Sequence, residues 1–273
     1  MCASAVLQMV SAMSAYGQVS SGMRAQDLGI NAAIGLATAT VWSIARGRGV
    51  GTSAVWRGLV GGAAIGVGRQ VAASPFGGSG FVGREISAAG ISTVTSAGAD
   101  HLKLSFPVGP VEIQLVDGRT FDWRVNATYA VAAVLNATGK STRLDGPLSL
   151  SSGTFVFRAT RATLHTSNGE ASGSEFFGGI KLSKDAFHGS DGTPNVLYHE
   201  NVHVLQDDFL ALAVANPIER AVLSRVEIGR RVTRHIDVGL LSLAFNGLAN
   251  NIVAYPSRPW EREAYALTPR HNY

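Results

Sequence analysis

The sequence predicts an α+β fold: short strands of a mixed sheet, then a helical carboxyl-terminal third, all behind an apolar, glycine-rich helical segment. Three observations carry that expectation. Of the 32 glycines, 18 fall in residues 1–100. Between residues 101 and 183, short runs of β-branched and aromatic residues alternate with turn residues. From Thr193 onward, apolar residues recur at helical spacing. A chain of 273 residues holds one large domain or two modest ones. The change of character near residue 100 divides it into 1–99 and 100–273.

Composition narrows the function classes. Charged residues make up 15% and hydrophobic residues 46% of the chain, which excludes a disordered polymer. The lack of a Gly-X-Y period excludes collagen. Cys2 is the one cysteine, so neither an intramolecular disulfide nor a multi-cysteine zinc site can form. The net charge of +4 is spread along the chain. Its densest cluster, Arg230, Arg231 and Arg234, lies among apolar residues and reads as a solvated helix face, so no nucleic-acid partner is expected.

The first segment is justified by its small and uncharged residues. Residues 28–45 carry no charge between Asp27 and Arg46, close to the lower length limit for a membrane span, although Asn31, Thr38, Thr40 and Ser43 dilute them. GLVGGAAIGVG at 58–68 would let another helix backbone come close. Residues 1–99 therefore read as helical with loops at 46–52 and 74–83. They suit either membrane contact through residues 28–68 or tight soluble packing. No basic residue precedes Arg24, so the head of a secretory signal is missing. The expected location is membrane-associated or extracytoplasmic rather than cytoplasmic.

HLKLSF (101–106), VEIQLV (111–116) and RTFDWRV (119–125) read as strands, with Asp117-Gly118 as a two-residue hairpin turn. ATYAVAAVLNAT (127–138) suits helix or strand. Residues 153–166 and 175–183 read as further strands, and 184–193 as a loop. Thr193 as N-cap and Pro194 at the first helical position open a helix over 194–214. Further helices are expected over 217–234, over 238–257 as a buried core helix, and over 260–267.

Inside the 194–214 helix stands His199-Glu200-Asn201-Val202-His203, an HExxH motif. Residues four apart share a helix face, only about 40° out of register, so both imidazoles reach one metal ion from one side. Glu200 is turned about 60–100° away from them, which places a carboxylate beside the ion's open position. Such an arrangement supplies two nitrogen ligands, a place for water and a base to take its proton.

A tetrahedral catalytic site needs a third protein ligand. The HExxHxxGxxH extension does not supply it, since Gln206 and Phe209 occupy those positions. Trp260-Glu261-Arg262-Glu263-Ala264-Tyr265 is the best source. Here the chain resembles the zincin metallopeptidases, in the gluzincin-like branch whose third ligand is a downstream glutamate. The resemblance covers the HENVH helix, the glutamate-bearing helix and arguably the strand before them. It implies a zincin-like domain over 100–273 that binds Zn2+ through His199, His203 and Glu261, with Glu200 as catalytic base and a peptide or protein as substrate. Members that place the ligand just before the alanine would select Glu263 instead. In such enzymes an edge strand ahead of the helix binds extended peptide, a place that FFGGIKLS at 176–183 could fill. One departure is Tyr265, where an acidic residue often orients a zinc-binding histidine; its hydroxyl or another residue would take that duty.

Tyr198, Tyr255, Tyr265 and His235 are candidate oxyanion donors by residue type alone. Gln206, one turn past His203, is expected to make a local polar contact. The competing reading is a non-enzymatic, membrane-associated interaction protein with an inactive zincin-like domain.

Overall fold

The computed structural model describes residues 21–166, 169–187, 195–252 and 257–268. Three helices open it: α1 (Ser21–Ala45), α2 (Thr52–Ala72) and α3 (Ser79–Thr95). Their small residues let the backbones touch. A Cβ added to Gly61 of α2 would stand 2.7 Å from the Gly90 carbonyl oxygen of α3, and one on Gly68 2.5 Å from that of Gly83. Only glycine fits at these crossings. Ala39, Ala54, Ile65, Ile91 and Val94 fill the space between the helices.

This layer lies directly on the rest of the molecule. Trp42 donates its indole N–H to the Ala213 carbonyl at 2.9 Å. Ser92 of α3 and Ser96, which caps its C-terminus, accept the backbone N–H groups of Ser105 and Lys103 at 2.9 and 3.3 Å, which ties the helix to the next strand.

Strands β1 (Lys103–Val108), β2 (Val111–Val116) and β3 (Thr120–Asn126) form an antiparallel meander, with β10 (Ile236–Asp237) added parallel to β3. Asp117 and Gly118 both have positive φ (51° and 67°), as a tight hairpin of mirror-image turn type requires. The polar face of this sheet points inward: Ser105, Glu112, Gln114 and Asp237 are buried. The apolar face points outward, and Phe121 and Trp123 are 76% and 51% exposed. A cleft of about 580 Å³ between α1, α3 and the inner face, lined by Arg46, Lys103 and Gln114 among others, accounts for part of that polarity.

The stretch 127–138 is helix α4 (Ala127–Thr138), because the Asn126 side chain caps it by accepting the Tyr129 N–H at 3.1 Å. A second sheet has the order β4 (Thr142–Leu144), β5 (Val156–Ala159), β9 (Gly179–Leu182), β8 (Gly173–Phe176). Helix α5 (Gly146–Ser152), capped by Asp145, separates its first two strands. The expected strand 153–166 is two pieces, β5 and β6 (Leu164–Thr166), and β6 pairs with β7 (Gly169–Ala171).

The expected strand 175–183 also divides. Phe177 and Gly178, both at positive φ, turn β8 into β9, and the Glu175 carboxylate accepts the Gly178 N–H at 2.6 Å. FFGGIKLS is therefore mostly turn and interior strand. Among the described residues, the edges of this sheet are β4 and β8, and β8 is the one that lies against the HENVH helix.

The HENVH helix is α6 (Asn195–Asp208), continued by a π-helical turn over Phe209–Ala215. Thr193 and Pro194, the expected cap, lie outside the described residues. Leu197, Val204 and Leu205 pack on Val156, Ile180 and Leu182 of the second sheet. The expected helix 217–234 is two: α7 (Asn216–Leu223) and α8 (Glu227–Val232), broken at Ser224–Val226. Helices α9 (Leu240–Ile252) and α10 (Pro259–Leu267) complete the fold. Ala264 and Leu267 of α10 pack on Val202 of α6, which sets the two helices side by side.

Candidate metal centre

The packing of α6 decides which side chains are left to do chemistry. With Leu197, Val204 and Leu205 committed to the sheet and Val202 to α10, His199 and His203 face the first turn of α10. Their Nε2 atoms are 3.1 Å apart. Oε2 of Glu261 lies 3.4 Å from the first and 3.3 Å from the second. A tetrahedron with ligands about 2.0–2.1 Å from its centre has edges of roughly 3.3 Å, so the donors present fit a small divalent ion. These three residues form a group able to hold a metal ion; all three side chains are mostly buried.

Electrostatics agree with the geometry. Burial works against a charge on Glu261, but the hydrogen bonds and charges of His199 and His203 outweigh it and hold its carboxyl down to about 2. Burial also disfavours the charged form of His203, yet Glu261 and Glu200 prevail and raise it to about 9. The metal-free centre thus keeps a proton where a metal would otherwise sit.

Gln206 fixes the orientation of one ring. Its Nε2 donates to the Trp260 carbonyl at 3.1 Å and to Glu263 Oε2 at 2.7 Å, so its Oε1, 2.7 Å from His203 Nδ1, must accept the ring N–H there. Once His203 has lost the proton that a metal would replace, its remaining proton is therefore on Nδ1 and the Nε2 lone pair is left for a ligand bond. Glu263 belongs to this outer set and turns away from the two imidazoles. The duty that Tyr265 leaves open falls, for His203, to Gln206. Tyr265 instead packs its ring 4.5 Å from that of His199.

No family model, curated protein or solved structure matches this chain. The site must therefore be read from its own geometry.

Glu200 is buried beside β8. The Glu175 backbone N–H donates to its carboxylate, and a Cβ placed on Gly173 would stand 2.9 Å from its Oε1. Burial is the main reason that its pKa is raised, against the lowering charges of His199 and His203. Behind it, the carboxyl groups of Glu175 and Asp207 are hydrogen-bonded to each other. Burial, and then the charge of Asp207, pushes Glu175 well above the carboxylate range, so this pair retains a proton.

Other sequence candidates lie elsewhere. His235 stacks on Trp123 of the first sheet, with ring centroids 4.7 Å apart. Tyr198 is buried on α6 next to His199, and Tyr255 lies outside the described residues. His101 and His165 face Asp117 and Glu170 at the surface. Glu175, Asp207 and Gly173 are site neighbours that carry no motif. The sequence signal for Glu175 and Gly173 is the place of β8 ahead of the HENVH helix, and for Asp207 its position on that helix four residues after His203.

Proposed function

We propose that this chain is a zinc-dependent metallohydrolase of the zincin type, most simply a peptidase. The observation that carries the reading is the convergence of His199, His203 and Glu261 at tetrahedral-edge separations, with Glu200 beside them on the same helix. When bound, zinc would polarise the scissile carbonyl and lower the pKa of water to about 7.

The remaining work falls to the chain. Glu200, with its pKa raised by burial, takes a proton from the attacking water and returns it to the leaving amine. The edge of β8, running past Glu200, offers backbone groups along which an extended peptide can lie as an added strand.

The test is metal analysis joined to peptide hydrolysis. Wild type should carry one zinc per chain, His199→Ala should lose it, and Glu200→Gln should keep it while losing about 10²–10⁴-fold in rate. Sub-stoichiometric zinc in wild type after equilibration with the metal would refute the reading.

A second reading is a membrane-associated interaction protein. Its support is α1, in which residues 22–45 are long and apolar enough to cross a membrane by length and composition, together with the outward apolar face of the first sheet. Carbonate washing of cell membranes separates the two ideas. A chain found wholly in the soluble fraction removes the membrane element.

A further inference from the structure

Two polar residues of the amino-terminal layer have no role in packing an apolar helix. Asn31 lies within the uncharged run of α1, and Arg69 lies near the end of the glycine-rich α2; both are buried. A buried arginine is costly unless it is paired. Arg69 finds its partner far along the chain: its Nη1 donates to Glu263 Oε1 at 2.7 Å and to Asn31 Oδ1 at 2.9 Å. The Asn31 amide is directed in turn by Asp27, whose Oδ1 accepts from Nδ2 at 2.9 Å. A Cβ on Gly66 would come within 3.2 Å of the Asn31 Cβ, so the small residue there is what lets Asn31 lie against α2.

Glu263 joins this cluster to the metal centre. One oxygen takes Arg69; the other takes Gln206, whose own carbonyl holds His203 Nδ1. We propose that Arg69 and Asn31 are positioning residues of the metal centre, fixing Glu263 and hence Gln206 so that the His203 ring presents Nε2 to the metal. The inference rests on the reading of this site as a metal centre. Its physical content is the direction of one amide. Without Arg69, the Glu263 carboxylate loses its cation and Gln206 loses a fixed acceptor. A flipped Gln206 amide would offer N–H to Nδ1, place the ring proton on Nε2 and block the ligand bond.

The experiment uses the full-length chain with zinc or cobalt alone as probe. Zinc affinity is measured by competition with a chromophoric chelator, and ligand geometry by the visible absorption of the cobalt form. Arg69→Met and Asn31→Leu should weaken zinc binding about 10–100-fold and alter the cobalt bands, with Arg69→Lys recovering much of the loss. In the zinc form, the His203 Nδ1–H should exchange slowly with solvent in wild type and rapidly in Arg69→Met. Gly61→Ala, which strains the α2–α3 crossing away from this cluster, should lower the melting temperature and leave zinc affinity unchanged.

Wild-type affinity in a folded Arg69→Met would overturn the proposal, as would an equal loss of affinity in Gly61→Ala. Should Arg69→Met not fold, Glu263→Gln carries the same test with the shape retained. A wild type that binds no zinc would bring down the metal-centre reading itself. Tight wild-type binding with indifferent variants would bring down this inference alone.

Discussion

Arg84 on α3 grips Asp208, the last residue of α6, through two contacts: Nε to Oδ2 at 2.6 Å and Nη2 to Oδ1 at 3.1 Å. The side chains are 1% and 5% exposed, so neither charge has water to fall back on. Removing one partner of such a pair costs about 3–5 kcal/mol, mostly by stranding the other. Arg84→Met should therefore lower unfolding stability by about that much in urea titration, and Arg84→Met/Asp208→Leu should regain a large part of the loss. A single variant within about 1 kcal/mol of wild type would mean that Asp208 finds another partner.

On the proposed reading, zinc has to displace a proton to bind. His203, facing His199, Glu200, Glu261 and Gln206, holds its proton up to about 9, whereas Glu261 is already ionised above about 2. Binding at pH 7 should release about one proton per zinc from His203. Calorimetry in buffers of different ionisation enthalpy reads this directly as the slope of the observed heat, and a slope near zero would contradict it.

The metal-free protein should show a corresponding pH profile. His203 is raised above its unfolded value near 6.5, so its contribution is complete below that pH and is lost as pH rises through about 9. Glu261 is lowered from 4.5, so its contribution is complete above that pH and is lost as pH falls through about 2. Glu200, raised by burial, also weakens the fold as pH rises. For His203 and Glu261 the optimum lies at about pH 4.5–6.5, Glu200 draws it toward the lower end, and melting temperatures of chelator-treated protein should peak in that range. A profile that rises steadily from pH 6.5 to 9 would be inconsistent with it.

Gly173 gives a cleaner test of Glu200 than removing the carboxylate. An added Cβ would meet Val196 Cγ2 at 2.8 Å and Glu200 Oε1 at 2.9 Å, so the valine and the more flexible glutamate must both shift. Displacing a base by about an ångström can cost about 10²-fold in rate. Gly173→Ala should lose roughly that much hydrolysis while binding zinc as wild type does. Loss of metal along with activity would show that the strand, not the base, had moved.

How far the sequence reaches depends on the range over which each feature is determined. His199, Glu200 and His203 lie on one helical turn, so their geometry follows from helical spacing alone. Helix α10 is similarly local, but the choice between Glu261 and Glu263 is not. What occupies Glu263 is Arg69, 194 positions upstream, and no spacing rule connects them. Residues 127–138 are composed for either secondary structure, and the Asn126 cap decides for helix. Alternation in β1, β2 and β3 is plain in the sequence, yet alternation says only that a sheet has two unlike faces. Which face is covered depends on α3, whose serines bind the first strand and draw the polar side inward.

That inside-out sheet has a thermal consequence. Side chains such as Phe121 and Trp123 are wet before unfolding and wet after it, so they add little to the heat-capacity change that apolar exposure normally produces. The isolated chain should therefore unfold with a smaller heat-capacity increment, and a shallower response to denaturant, than its length would suggest. Whatever surface comes to cover that face would register first as a calorimetric quantity: a negative heat capacity of association, measurable before its identity is known.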